Sequence, residues 1–267
     1  MTEAASPFTA IILAGQRPGP DPVAEAARVA CKSFAPIGDR PMVHRVLDAL
    51  AASRQIDSLF LCGPSKPLIE QEPELKTRIE KGEVKWIASH LTPSLSTYHA
   101  LQALPDNKPV LVTTADHALL TPQIVDYFCN EALQKRCDVV AGLTLYENVT
   151  SAFPETKRTA IKFKDSAYSG CNLFAFLNTH AYRVAKFWCQ IEQQRKKPLR
   201  MIRILGGWPV IKYLMGRLPL NDGLEHLSNR LGIHAGAVIL PFPEAAVDVD
   251  TVADWKFVQT LVKKQRP

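Results

Sequence analysis

Phe8-Thr9-Ala10-Ile11-Ile12-Leu13-Ala14 is an apolar run that stops at Gly15, and Gln16-Arg17-Pro18-Gly19-Pro20-Asp21-Pro22 then carries the chain away as a loop that later reaches Lys32. A short buried strand ending in a turn is what the carboxyl edge of a parallel sheet presents, and backbone N–H groups there can cradle an anion. The stretch reads as a strand that delivers backbone amides, Arg17 and Lys32 to something anionic. It contains neither GxGxxG nor GxxxxGK[ST], so the same residues also suit a first core strand with a proline-stiffened surface loop.

Outward from this stretch the pattern alternates. Val43, Val46, Leu47 and Leu50 give the apolar stripe of a helix over 41–53 that starts on Pro41, and Ser58 to Cys62 is a second strand closed by Gly63-Pro64. This β, α, β order makes a parallel sheet by right-handed crossover. The polar stretch 65–83 is expected to be helical in parts, and Val84 to Ala88 to be a third strand. A helix opening at Ser94 places hydroxyls near its N-terminus, where they either meet a ligand or cap the helix.

Val110-Leu-Val-Thr-Thr-Ala-Asp116 is a further strand ending in a carboxylate, and the next helix opens at Thr121-Pro122 and runs to about Gln134. Asp116 lies too far ahead of that helix to cap it, which favours a functional carboxylate at the strand end. Another strand covers 138–144, and 146–155 reads as loop. Alternation in 159–164 and again in 169–176 implies a half-exposed pair of strands on the acceptor side of a crevice. Lys157, Arg158 and Lys162 there suit either a substrate phosphate or a solvated strand face.

Thr179 to about Arg195 is an amphipathic helix, and a last helix runs from Thr251 to about Lys264. Thr251-Val-Ala-Asp254 is a capping-box-like opening that assigns Asp254 to the helix. Just before it, Asp248 and Asp250 alternate with valines in a segment read as a strand, which puts both carboxylates on one side.

The whole is 267 residues, 46% hydrophobic and 22% charged, with a net charge of +6. It is read as a single domain over 1–267 with a basic, apolar helical subregion at about 195–232. From Gln193 to Asn221 there are seven Lys or Arg and no Asp or Glu, so the remaining residues sum to −1. The excess describes one surface, and no nucleic-acid partner is expected. Interleaved with Trp208 and branched apolar residues, it suits two helices covering the sheet with their cations in water, or contact of 195–217 with an anionic membrane surface. No apolar run is long enough to cross a bilayer and no secretory signal is seen. Six cysteines without a CxxC fit reduced thiols and a cytoplasmic location, with peripheral membrane contact as the variant.

Together the chain offers a glycine-containing loop with Arg17 and Lys32, a Ser/Thr-rich helix start, and two strand-end carboxylates, Asp116 and Asp250. Two hard oxygen donors without an all-protein cage are what Mg²⁺ takes when nucleotide phosphates complete its shell. Ile11-Ile-Leu-Ala-Gly15, followed by Lys32-Ser-Phe-Ala-Pro-Ile-Gly-Asp-Arg-Pro-Met42, resembles the signature loop, lysine and continuation of the nucleotidyltransferases with a glycosyltransferase-A-like Rossmann sheet, a group that includes molybdenum cofactor guanylyltransferase. Ser94 to Leu101 is similar to that family's base and ribose segment, Thr114-Ala-Asp116 to its metal site, Ser169-Gly-Cys-Asn172 to its acceptor motif and Val249-Asp-Thr251 to its terminal segment. Gln16 stands where the family has a second glycine, and Ala118 where it has proline.

The resemblance implies an α/β, three-layer Rossmann-like fold of glycosyltransferase-A type, with a mostly parallel sheet, helices on both faces and a helical C-terminal elaboration. It implies an enzyme that moves a nucleotidyl group from an NTP to a phosphorylated small-molecule acceptor with Mg²⁺ and releases pyrophosphate. Lys32 and Arg17 would stabilise charge; Leu13, Ala14, Gly15, Ser96 and Thr97 would bind nucleotide; Asp116 and Asp250 would hold metal; Gly170, Asn172 and Lys162 would meet the acceptor. A glycosyltransferase using a nucleotide-sugar, and a non-catalytic nucleotide-binding or membrane-surface regulatory protein, are the alternatives. The base, the acceptor and the oligomeric state are not legible.

Overall fold

A computed structural model describes residues 8–16, 19–104, 108–156, 158–194 and 206–264. Arg17, Lys157 and residues 195–205 of the basic run lie outside the described residues. The first half of the chain gives β1 (Phe8–Leu13), α1 (Pro22–Ala27), the small pair β2 (Pro36–Ile37) and β3 (Arg40–Pro41), α2 (Met42–Ala51), β4 (Ile56–Cys62), α3 (Lys66–Ile69), α4 (Pro73–Glu80), β5 (Lys85–Ile87) and α5 (Pro93–Ala103). The second half gives β6 (Val110–Thr114), α6 (Pro122–Gln134), β7 (Val139–Leu145), α7 (Tyr146–Ala152), β8 (Ile161–Lys162), β9 (Ala167–Phe176) and α8 (Tyr182–Gln194). It closes with α9 (Gly207–Leu214), α10 (Leu220–Leu231), β10 (Ala235–Ile239) and α11 (Val252–Lys264).

The main sheet has the order β10-β7-β9-β6-β1-β4-β5, with β8 added on β9. β1 pairs in parallel with β4 and β6, as β4 does with β5 and β7 with β10. The sheet is buried on both faces, which is why β1 and β4 read as continuous apolar runs instead of alternating ones. Along β1, Ala10 and Ile12 join one core, under α2, α6 and α11, while Ile11 points into the other, under α5 and α8. The expected three-layer, mostly parallel architecture with helices on both faces is observed.

Four local expectations are corrected. The loop after Gly15 contains a helix, α1: the Asp21 side chain accepts from the N–H groups of Val23 at 2.9 Å and Ala24 at 3.1 Å, and Pro22 occupies a position with no hydrogen bond to lose. The stretch 146–152 is the helix α7, not loop. Its β-branched residues are poor helix formers, but Val149 is fully buried, and packing outweighs propensity in so short an element. β8 and β9 form the expected antiparallel pair, but only at Ile161–Lys162 and Ala167–Tyr168; beyond it β9 is not half-exposed but enters the middle of the sheet, antiparallel to both β6 and β7, with Leu173 and Ala175 fully buried. The segment 247–250 pairs with no strand: after a 3-10 turn at Pro243–Ala246 it runs extended, burying Val247 and Val249 and leaving the aspartates on the open side.

In the basic C-terminal subregion, α10 seats Leu220 and Leu231 against the body, whereas α9 buries none of its side chains. Among the described residues no helix is long and apolar enough to cross a membrane. All six cysteines are free.

Candidate active site

The cleft opens at the carboxyl ends of β1 and β6, where the strand order reverses, the place at which open α/β sheets bind ligands. Leu13 lies opposite Thr114 in the pairing, and the Ala115 N–H donates to the Leu13 carbonyl at 2.9 Å, so the loops leaving the two strands face each other. Between them is a space of about 730 Å³ lined by Leu13, Ala14, Gly15 and Gln16 on one side and by Asp116, Asp248 and Asp250 on another.

Gly15 is required by crowding. A Cβ there would come within 2.9 Å of the Ser89 Cβ, and Gly63, at φ +81°, packs its own Cα side against the Gly15 backbone. Gln16 takes a different role from a glycine: its side-chain amide donates to the Ala30 carbonyl at 3.3 Å and ties the two ends of the loop together.

Lys32 leads a 3-10 turn, Lys32–Phe34, and its ammonium lies 2.6 Å from Asp116 Oδ2 and 3.1 Å from Asp250 Oδ1. Burial works against the charge, but the two carboxylates outweigh it and lift Lys32 above the ordinary lysine range. The other Asp116 oxygen, Oδ1, is buried with no partner among the described residues, as is Thr114 Oγ1. A third carboxylate, Asp248, is pushed above the usual carboxylate range by burial and by Asp250 and Asp116 beside it, with Arg158 pulling the other way. Next to Asp116, burial drives His117 down to about 4, so its imidazole is neutral and adds no positive charge.

Arg158 organises the far wall. Its guanidinium donates to Asp248 Oδ1 at 2.6 Å, to the Asp248 carbonyl at 3.1 Å and to Asp254 Oδ1 at 2.9 Å. Asn172, held in the left-handed region at φ +48°, donates to Asp248 Oδ2 at 2.9 Å. Asp254 in turn accepts from the Thr251 N–H at 2.9 Å and its hydroxyl at 2.7 Å, while the Asp254 N–H donates to Thr251 Oγ1 at 3.2 Å, a capping box at the start of α11. The Val249 N–H donates to the Asp116 carbonyl at 3.1 Å, so the terminal segment is stitched directly to the end of β6.

Of the residues singled out from the sequence, Leu13, Ala14, Gly15, Lys32, Asp116, Asn172 and Asp250 line this cleft. Arg17 lies outside the described residues. Ser96 and Thr97 are buried and face inward: the Ser96 hydroxyl accepts from the His90 N–H at 2.9 Å, and the Thr97 hydroxyl donates to the Pro93 carbonyl at 2.9 Å. The lining there consists of His90, Leu91, Thr92 and Pro93. Gly170 on β9 and Lys162 on β8 are exposed and do not line the cleft. Arg158 is neither a solvated strand residue nor a free phosphate ligand, because it is spent on Asp248 and Asp254. Asp248 and Trp188, which also line the cleft, were not assigned to a site from sequence. For Asp248 the D-V-D alternation was the available signal; for Trp188, inside an ordinary amphipathic helix, there was none.

The donor set fits a hard divalent cation. Among the described residues no group of three or more His, Cys, Asp or Glu is placed to hold a metal by protein ligands alone. Asp116 and Asp250, with one buried carboxylate oxygen unpartnered, instead suit a cation that takes the rest of its shell from phosphates and water. Asp21 and Glu25 add to the acidic lining, and Lys32 is the one Lys or Arg among the described lining residues. A triphosphate entering such a cleft needs additional positive charge.

Residues 10–158 match a family model described as the MobA-like NTP transferase domain. Among solved structures, a hypothetical transferase from Thermus thermophilus superposes with a TM-score of 0.77 at 28% identity, over 93% of this chain and 99% of its own. The 4-diphosphocytidyl-2C-methyl-D-erythritol synthase of Anaerococcus prevotii gives a TM-score of 0.57 at 17% identity, covering 96% of each chain. A CMP:2-keto-3-deoxy-manno-octonic acid synthetase complexed with CTP gives 0.58 at 13%, over 97% of this chain and 100% of its own. At such identities the last two share the fold. No curated protein matches the chain in sequence.

Proposed function

The chain belongs to the MobA-like NTP transferase domain family and is a nucleotidyltransferase, and we propose that it moves the nucleotidyl group of an NTP to a phosphorylated small-molecule acceptor, with Mg²⁺, releasing pyrophosphate. The observation that carries this reading is the meeting of Lys32 with Asp116 and Asp250 beside a carboxylate oxygen that is buried without a partner.

An acceptor phosphate oxygen is already ionised at neutral pH, so the chain needs to align it more than to deprotonate it. That oxygen attacks the α-phosphorus, the bond to the bridging oxygen breaks, and pyrophosphate leaves with the electron pair. The amides of Ala14 and Gly15 hold phosphate oxygens at the end of β1, and Lys32, with Arg17, stabilises the charge that gathers on the leaving group. Asp116 and Asp250 hold Mg²⁺, which when bound supplies positive charge to the phosphates. Asn172 meets the acceptor in the cleft, whereas Gly170 and Lys162, exposed outside it on the β8–β9 pair, reach only a part of the acceptor that extends beyond the cleft. Ser96 and Thr97 act on base and ribose through the His90 to Pro93 loop that they brace.

The test is pyrophosphate release with each of the four NTPs against a panel of small phosphates, with and without a chelator. One NTP and acceptor pair giving Mg²⁺-dependent release is expected. Asp116→Ala should abolish it with the fold intact by circular dichroism; substantial residual turnover in that variant would overturn the metal assignment. Release of a free nucleoside diphosphate from a nucleotide-sugar, with no pyrophosphate from any NTP, would point to glycosyl transfer instead.

A further inference from the structure

We propose that the outer face of α9 docks on an anionic lipid membrane. Eight large apolar side chains are exposed among the described residues, and Trp208, Ile211, Tyr213, Leu214 and Met215 are five of them. Trp208 is 67% and Leu214 75% exposed, on a helix that buries nothing. Scattered apolar residues on a surface are ordinary, but a concentration within one short helix marks an interaction site. Trp208 and Ile211, with Met215 at the C-cap, fall at i, i+3 and i+7, one stripe along the helix and its end. The helix is fixed to the body at its ends: Tyr213 meets Phe163 edge-on with centroids 5.7 Å apart, and Gly206, at φ +94°, lies close against the His226 ring. The stripe is therefore presented by a seated element.

Charge selects the occupant. The sequence from Gln193 to Asn221 carries seven Lys or Arg and no acid, and two of these cations, Lys212 and Arg217, belong to the described residues around the stripe. A second copy docked by the same face across a two-fold axis would bring these cations against their own equivalents, and the cores of protein interfaces are depleted of charge. An anionic bilayer surface attracts the same cations and takes up tryptophan and branched apolar side chains without a shaped pocket. Eight residues of helix cannot span a bilayer, so the contact lies on the surface.

The test uses the full chain with sedimentable vesicles of phosphatidylcholine alone and of phosphatidylcholine mixed with phosphatidylglycerol. Co-sedimentation is expected with the anionic vesicles at low salt, falling at least about tenfold near ~0.5 M salt as screening shortens the reach of the cations. Tryptophan emission should shift to the blue on binding, and Trp208→Phe should remove that shift. Trp208→Ser combined with Leu214→Ser should weaken binding about tenfold at an unchanged melting temperature, which separates lost docking from lost folding. No co-sedimentation at low salt, equal binding to both vesicles, or binding untouched by the double variant would each overturn the proposal. A dimer in sedimentation equilibrium that the double variant dissolves would assign the face to a second copy instead. None of these readouts involves nucleotide chemistry, so this proposal and the proposed transfer reaction fail independently.

Discussion

In the cleft, Asp116 and Asp250 close on the ammonium of Lys32 with Asp248 beside them, whereas the sequence from Gln193 to Asn221, which includes α9, carries seven cations with no acid between them. The two regions differ as much in burial as in sign. Cleft charges are tied into hydrogen bonds and ion pairs, and the apolar side chains of α9 stand open to water. The net charge of +6 thus describes the second region and conceals the first. Where charge is buried and paired, removing one partner is costly; where it is exposed, single changes cost the fold almost nothing.

Substitutions at four positions would break or sharpen this contrast. Lys32→Ala should lower nucleotidyl transfer by about 10³-fold, the scale of losing a group that stabilises transition-state charge, read as pyrophosphate release. The same variant leaves Asp116 and Asp250 facing each other, so Mg²⁺ without nucleotide should raise its melting temperature more than that of the parent; an equal response in both would argue against these two carboxylates as a shared cation site. Arg158→Ala should cost about 3 kcal/mol of stability in a urea titration, because Arg158 is only 7% exposed and Asp248, partly buried, would lose its cation and keep only the Asn172 amide. Arg158→Lys should recover part of that, since an ammonium can reach one carboxylate but cannot span Asp248 and Asp254.

Gly15→Ala follows, at about 1 to 3 kcal/mol by the same titration, as the added carbon must displace Ser89. An unchanged midpoint would mean that the loop after β1 yields easily. The smallest effect belongs to the other region: Trp208→Ser should change stability by less than about 0.5 kcal/mol, since the side chain has little to lose. A large loss there would show that the α9 face is covered in the folded protein.

Much of the architecture was legible because it follows from local rules. The unbroken apolar run of β1 announces a strand buried on both faces, Thr121-Pro122 starts α6, and Thr251 with Asp254 starts α11. α1 carries the same kind of signal in Asp21-Pro22, but the three prolines and two glycines from Gly15 to Pro22 favour a loop by composition and mask it. α7 carried no such signal, because its helix rests on the burial of Val149 and not on propensity. The insertion of β9 between β6 and β7 was also out of reach, since alternation reports that a strand has two unlike faces and says nothing of which neighbours flank it.

For the site, the sequence by itself determined the residue types and their placement at element ends: a glycine after β1, an aspartate after β6, a D-V-D pair before the last helix. Only the tertiary structure decided that Lys32 and Asp250, 218 residues apart, share a hydrogen bond, that Arg158 clamps Asp248 and Asp254, and that Ser96 and Thr97 turn away from the cleft. The reason is physical. Caps, strand runs and helical stripes are fixed by interactions within a few residues, so they leave a periodic trace in the sequence. Contacts across hundreds of residues are fixed by strand order and by which loops meet above the sheet, and no local period records those.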